Sequence, residues 1–150
     1  MAAVQLLPMK KISEEIMSDG KRPTVATVFG VLNIVFGGFG LFGALAIGLA
    51  FQLGTLYGVF AVVSVALAAL EVFSGILLLT NKSNGPGMVN LYAIGSVLVT
   101  LASTGHGIAT MGTTFISAQI TGLILGLVYP ALLIFLVVRN ANVKSFYGSR

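Results

Sequence analysis

The chain has 150 residues, of which 57% are hydrophobic and only 8% are charged, and its mean hydropathy is +1.03. Soluble domains carry about 25% charged residues, so this composition excludes an ordinary soluble domain, and the length allows a single domain. The absence of cysteine excludes disulfides and thiolate chemistry, and with one histidine we expect no metal and no cofactor. The net charge of +4 is not read as a nucleic-acid signal, because the cations lie only at the ends of apolar segments.

Residues 1–23 form a polar leader ahead of the first apolar segment. Within it, Leu6, Met9, Ile12 and Ile16 recur at near-helical spacing beside lysine and glutamate side chains. This pattern predicts a short helix lying on the membrane surface, and a frayed tail is the alternative.

Four apolar segments follow the leader. As helices rising about 1.5 Å per residue, each is long enough to cross a bilayer core of about 30 Å. The first is far longer than the roughly 7–15 apolar residues of a signal peptide, so we interpret it as an uncleaved transmembrane helix. The sequence therefore predicts an all-α membrane protein, a four-transmembrane-helix bundle over residues 24–138. Its predicted spans are 24–51, 57–80, 88–108 and 115–138, with a turn at 81–87 and a basic tail at 139–150.

The cations set the expected orientation. All eight lysine and arginine residues lie in the leader, at Lys82 or in the tail, and the other two connectors carry none. The positive-inside rule therefore places both termini and the Lys82 turn in the cytoplasm. The chain has no tryptophan, so any aromatic belt at the interfaces must come from phenylalanine and from Tyr57, Tyr92, Tyr129 and Tyr147.

Each span carries a stripe of small residues at helical spacing, which lets helices approach closely in lipid. We expect these stripes to face one another in a compact bundle. We also expect a kink at Pro130, because proline removes one helical hydrogen bond and crowds the preceding turn. We favour a role of this kink in the shape of the bundle, and a gate is the alternative. The predicted packing residues are Gly37, Gly40, Ala44 and Gly48 in the first span and Ala118, Gly122 and Gly126 in the fourth.

Glu71 is the one charged residue of the second span, and it shares that span's small face with Ser64. A carboxylate within the hydrocarbon costs at least a few kcal/mol, so such a group is a functional candidate by default. The low dielectric favours its neutral form. Two interpretations stay open. We favour a neutral acid hydrogen-bonded to Asn33, Thr100, Ser103 or a backbone carbonyl, and the alternative is a carrier of protons or cations.

His106 is the only other candidate for proton chemistry, since it titrates near neutrality by default. Counted from the predicted cytoplasmic ends of the spans, it lies about 10 Å or more farther along the bundle than Glu71. Direct contact is therefore excluded in a straight bundle, although a relay through water is not. We expect His106 to be solvated at the outer interface, near Gln119 and Thr121.

Two resemblances accompany these residues. RPTVATVFGVLNIVFGGFG and the final YPALLIFLVVRNANVKSFYG resemble uncharacterised bacterial four-span membrane proteins, with an Arg-Pro start, an aliphatic-Leu-Asn-Ile span and a Val-Lys-x-Phe tail. This resemblance implies the four-span architecture and a bacterial inner membrane, and it implies no activity. ALAALEVFSGILLL is similar to the carboxylate helix of rotary-ATPase proteolipids, which would make Glu71 the ion-carrying group. The Arg-Gln-Pro-type loop of that family is missing, and the topology is reversed.

The sequence contains no Gly-rich phosphate loop, catalytic triad or paired carboxylate, so we expect no enzymatic activity. We favour a structural or accessory subunit that associates through its small-residue faces into a homo-oligomer or a larger membrane complex. The alternative is a proton or cation channel or transporter using Glu71. The first hypothesis predicts a fixed hydrogen-bond partner for Glu71, and the second predicts an open route from Glu71 to a surface. The expected partners are the lipid bilayer and membrane proteins.

Overall fold

The computed structural model describes residues 21–149, and nearly all of them are helical. Four helical segments are long and apolar enough to cross a membrane, and no strand occurs in this part of the chain. The predicted all-α, four-span architecture is therefore confirmed. The surface helix predicted in the leader falls before Lys21, outside the described residues. The four segments are Thr24–Leu53, Thr55–Leu79, Gly85–Met111 and Thr114–Val138.

The first span is broken into two helices. Helix α1 covers Thr24–Phe42, a short 3₁₀ turn covers Gly43–Ala46, and helix α2 covers Ile47–Leu53. The break follows a run of glycines, which have low helix propensity. Because a 3₁₀ turn has about three residues per turn, the small-residue stripe of α1 does not continue in phase into α2.

The second span, helix α3, covers Thr55–Leu79 and is joined to α2 by Gly54 alone. Gly54 has φ of +140°, which a side chain would disfavour, so this glycine makes the reversal possible. At the other end of α3, Asn81 has φ of +57°. The Lys82 amide then donates to the Leu77 carbonyl at 3.0 Å. This pairing belongs to the Schellman motif, which satisfies carbonyls at a helix C-terminus.

The second hairpin is formed by helix α4, Gly85–Met111, and helix α5, Thr114–Leu133. Helix α4 begins inside the predicted 81–87 turn, which corrects that boundary. Pro86 lies in its first turn, where the missing amide hydrogen removes no helical hydrogen bond. The reversal between the two helices falls at Gly112, with φ of +72°. After α5 the chain widens into a π-helical turn, Ile134–Val138.

The predicted basic tail is in fact a docked helix, α6, Ala141–Gly148. Asn140 caps it, since its side-chain oxygen accepts from the amides of Asn142 at 3.0 Å and Val143 at 3.4 Å. Val143 and Tyr147 are buried, so α6 completes the core instead of extending away from it.

The helices pack in chain order: α1 lies along α3, α3 along α4, and α4 along α5. The two ends of this assembly differ. We call one the Lys82 end, formed by the start of α1, residues 80–84 and α6, and the other the Gly54 end, formed by Gly54 and residues 112–113. The hydrophobic core lies towards the Lys82 end, where α6 docks, and the helices are exposed on more of their surface towards the Gly54 end. The core comprises Ala26, Phe29, Leu78, Val89, Tyr92, Ala93, Leu133, Val137, Val143 and Tyr147.

Two side chains bind the C-terminal carbonyls of α3 at the Lys82 end. The guanidinium of Arg22 donates to the Asn81 side-chain oxygen at 2.7 Å and also to the Leu79 carbonyl. The Tyr147 hydroxyl donates to the Leu78 carbonyl at 2.6 Å. A cation at a helix C-terminus is stabilised by the helix dipole. These bonds join α1, α3 and α6 at one end of the bundle.

Only part of the predicted small-residue packing occurs within the chain. A Cβ atom at Gly37 would lie 2.7 Å from the Ala68 carbonyl oxygen, and one at Gly40 would lie 2.8 Å from the Ala68 Cβ. Gly126 meets the side chain of Thr100. The prediction that the other four residues pack inside the bundle is wrong, because all four are exposed. In the first span, the 3₁₀ turn changes the helix phase. The four exposed residues are Ala44, Gly48, Ala118 and Gly122.

Candidate functional site

Glu71 lies in the interior of the assembly, 5% exposed, on the face of α3 that is covered by α1 and α4. Its Oε1 atom is buried and has no hydrogen-bond partner within residues 21–149. An unsatisfied buried acceptor costs about 1–3 kcal/mol, more if it is charged. Such an unpaired acceptor makes this position a candidate for binding a ligand.

The polar neighbours of Glu71 come from α4. The Tyr92 hydroxyl interacts with the Glu71 carboxyl group and also with Ser96, one helical turn further along. Tyr92 is buried, so this contact lies in the interior of the bundle. One edge of the carboxyl group is therefore held by a tyrosine, and the other edge is left with an open acceptor.

Two cavities meet at these three residues. The smaller has a volume of about 170 Å³, and Ser64 and Thr100 line it towards the Gly54 end. The larger has a volume of about 320 Å³ and lies between α1 and α5. Glu71 thus forms part of the wall of both. The residues common to the two cavities are Glu71, Tyr92 and Ser96.

A hydrogen-bonded layer lies beside Glu71 towards the Lys82 end. The Asn33 amide donates to the Ser74 hydroxyl at 2.9 Å, and the Tyr129 hydroxyl donates to the Asn33 side-chain oxygen at 2.5 Å. Ser74 in turn donates to the Glu71 backbone carbonyl at 2.8 Å. Asn33, proposed from the sequence as a partner for the Glu71 side chain, therefore bonds to Ser74 and Tyr129 instead.

Tyr129 reaches across the gap between α5 and α1. Its ring packs edge-on against Phe36, with centroids 5.0 Å apart, and lies 6.3 Å from the ring of Phe29. Apart from this side chain and the π-helical turn, α1 and α5 have little contact. Tyr129 therefore closes the bundle at this level, and the larger cavity lies next to it.

The hydroxyls predicted to face Glu71 have other bonds. Thr100 donates to the Gly126 carbonyl at 3.4 Å, and Ser103 donates to the Thr100 carbonyl at 3.2 Å. The first bond has a clear cause: Pro130 has no amide hydrogen, so the carbonyl four residues before it, Gly126, lacks its helical donor. Thr100 supplies a donor from the neighbouring helix. Helix α5 continues through Pro130 as far as Leu133, and the kink at Pro130 stays a prediction.

His106 lies near the Gly54 end, away from the Glu71 cavities. Its ring is 4.9 Å from that of Tyr57 and 6.0 Å from that of Phe60, centroid to centroid. The Tyr57 hydroxyl also hydrogen-bonds to Thr110 at 2.7 Å. The structure thus places His106 in an aromatic cluster that ties α3 to α4, and it lines neither cavity.

Sequence reasoning missed Tyr92, Ser96, Ser74 and Tyr129 as parts of the site. The two tyrosines were considered only for an interfacial belt, yet Tyr92 is buried and Tyr129 is half-buried against the core. A usable signal existed, because both lie several residues inside their apolar segments and not at the ends. A tyrosine at that depth needs a polar partner.

No protein-family model, curated protein or solved structure matches the chain.

Proposed function

We propose that this integral membrane protein is a small carrier or channel for protons or other cations, with Glu71 as the binding group. The observation that supports this best is the buried Oε1 atom, which lacks a partner at the junction of two cavities. An intramembrane carboxyl group with an open acceptor suits reversible binding of a positive charge. A purely structural acid would have its acceptors filled.

The surroundings of Glu71 support access from one side. The smaller cavity carries the hydroxyls of Ser64 and Thr100 towards the Gly54 end. In the other direction, the Asn33 layer and the hydrophobic core fill the bundle. This one-sided arrangement favours a carrier that exposes its site alternately over a permanently open channel.

We further propose a bacterial inner membrane with both termini in the cytoplasm. Within the described residues, all five cations lie in or next to the segments that form the Lys82 end: Lys21, Arg22, Lys82, Arg139 and Lys144. The positive-inside rule makes that end cytoplasmic. Access to Glu71 would then come from outside the cell.

The test is ion flux in liposomes that contain a pH-sensitive dye. A potassium gradient and valinomycin set the membrane potential. Under these conditions, liposomes with the wild-type protein should take up protons, and the proton flux with Glu71→Gln should be no higher than in empty liposomes. Glu71→Asp keeps the acid and should retain part of the flux, while Ser117→Ala, on the exposed face of α5, should match wild type. The same series is repeated with a sodium gradient and a sodium-sensitive dye. Wild-type rates for both ions in a well-folded Glu71→Gln protein would refute the proposal.

A second candidate is the accessory subunit or homo-oligomer that the sequence favours. The observation for it is that Gly48 and Gly122 lie on exposed faces, where an added Cβ atom would meet no backbone and no packed side chain of a neighbouring helix. Small residues facing lipid allow close contact between helices of different molecules. If they do so, Gly48→Leu or Gly122→Leu should lower the particle mass in a mild detergent, whereas Leu49→Ala, on an exposed position nearby, should leave it unchanged.

A further inference from the structure

The larger cavity at Glu71 has an aromatic wall. Four of its eight lining residues are aromatic, and the only carboxyl group among them is that of Glu71. Phe36 and Tyr129 form one side by their edge-on contact, and Tyr92 presents its hydroxyl to the carboxyl group. Phe39 completes the aromatic set at the rim.

This wall is poorly suited to a divalent metal ion. Hard cations such as Ca²⁺ take about six to eight oxygen ligands, and here the oxygens come from one carboxyl group and a few hydroxyls. Within residues 21–149, no three His, Cys, Asp or Glu side chains come together. An organic cation has different needs, because aromatic faces attract its charge and apolar walls accept its carbon atoms.

The position of the cavity indicates how such a ligand would arrive. Phe39 and Leu125 line it and are 69% and 61% exposed, so it reaches the surface of the bundle between α1 and α5. In a membrane-spanning bundle this surface meets the lipid. A cation with an apolar body collects at the membrane interface, from which it can move between the two helices.

We propose that the larger cavity binds a small organic cation with an apolar body, a quaternary ammonium or a protonated amine. This rests on the proposed function, since Glu71 supplies the counter-charge in both. The charged head lies against the Glu71 carboxyl group, and the apolar body contacts Phe36, Phe39 and Tyr129. The volume of about 320 Å³ sets the size of the part of the ligand that the cavity can hold.

The test is calorimetric binding of benzyltrimethylammonium to the full-length protein in a mild detergent. This probe carries a permanent charge and one ring, and tetramethylammonium is the comparison that lacks the ring. We expect saturable binding of the first and weaker binding of the second. Glu71→Gln should weaken binding roughly tenfold or more, because the counter-charge is lost. Phe39→Leu should weaken it roughly threefold, because the ring of the ligand loses one aromatic contact. Phe42→Leu is the matched control, since Phe42 is also 69% exposed but lies outside the cavity.

A second measurement needs no variant: benzyltrimethylammonium should inhibit proton flux through the wild-type protein in liposomes. No saturable binding to the wild type, or equal binding to a folded Glu71→Gln protein, would overturn the proposal. If the probe fails to bind while flux still depends on Glu71, only the organic ligand is refuted. If flux is also independent of Glu71, the proposed function fails with it.

Discussion

Asn33 shows how a single polar residue organises the middle of this bundle. Both sides of its amide are used, one by Ser74 on α3 and the other by Tyr129 on α5. Because Asn33 is fully buried, its partners could not replace the lost hydrogen bonds with bonds to water if it were removed. The residue thus joins three helices, α1, α3 and α5, by hydrogen bonds in the middle of the bundle.

We expect Asn33→Ala to destabilise the protein by about 1–3 kcal/mol, since two buried groups lose their partner. Bonds of this kind in membrane proteins average about 0.6 kcal/mol each, which favours the lower part of that range. The measurement is unfolding in mixed micelles with increasing dodecyl sulfate, followed by circular dichroism. Asn90→Ala is the control, a half-buried amide on α4. Equal unfolding midpoints for the two variants would show that the Asn33 layer adds no stability.

At the scale of helices, the contact between α1 and α3 depends on a backbone approach at Gly37. A Cβ atom there would lie 2.8 Å from the Val72 backbone nitrogen as well as close to the Ala68 carbonyl, and backbone atoms cannot rotate away. The neighbouring Gly38 has nothing within 4 Å of the same position. Alanine at Gly37 therefore changes both packing and helix propensity, whereas alanine at Gly38 changes helix propensity alone.

Gly37→Ala should force α1 and α3 apart and destabilise the protein by about 1–3 kcal/mol, as overpacking does elsewhere. Gly38→Ala should cause no loss, because alanine has the higher helix propensity and meets no neighbour. Unfolding in mixed micelles compares the two variants directly. A Gly37→Ala protein as stable as the Gly38→Ala protein would contradict the close approach.

These elements also show what the sequence could predict. Hydropathy and length were enough for the four spans, and the stripe that contains Gly37 correctly identified the face of α1 that packs. Gly48 could not be placed, because a four-residue change from α to 3₁₀ geometry alters the phase of everything after it. The partners of Glu71 were missed for a similar reason. Which tyrosine meets it depends on the rotation and height of α4, and a single helix pattern does not contain either.

For the whole molecule, the distribution of cations predicts an orientation in the membrane. This orientation can be tested by labelling single introduced cysteines, because the chain has no cysteine of its own. Ser83→Cys places a thiol at the Lys82 end without removing a cation, and Thr113→Cys places one at the Gly54 end; both positions are exposed. In intact bacterial cells, a membrane-impermeant maleimide should label Thr113→Cys. It should label Ser83→Cys only after lysis. The reverse pattern would place the Lys82 end outside, and both variants should react equally once solubilised.

The uneven core of the bundle has a consequence for its motion. Local opening requires least free energy where the fewest buried contacts are broken, and here that is the half of the helices nearest Gly54 and Gly112. The docked helix α6 and the capped end of α3 keep the opposite half together. Local opening should therefore occur mainly at the Gly54 end. Backbone amides should exchange their hydrogens early at that end and late around Leu78 and Val137. Glu71 lies near the boundary between these two halves of the bundle. Small movements of the helices at the Gly54 end would therefore change how much of its carboxyl group is accessible.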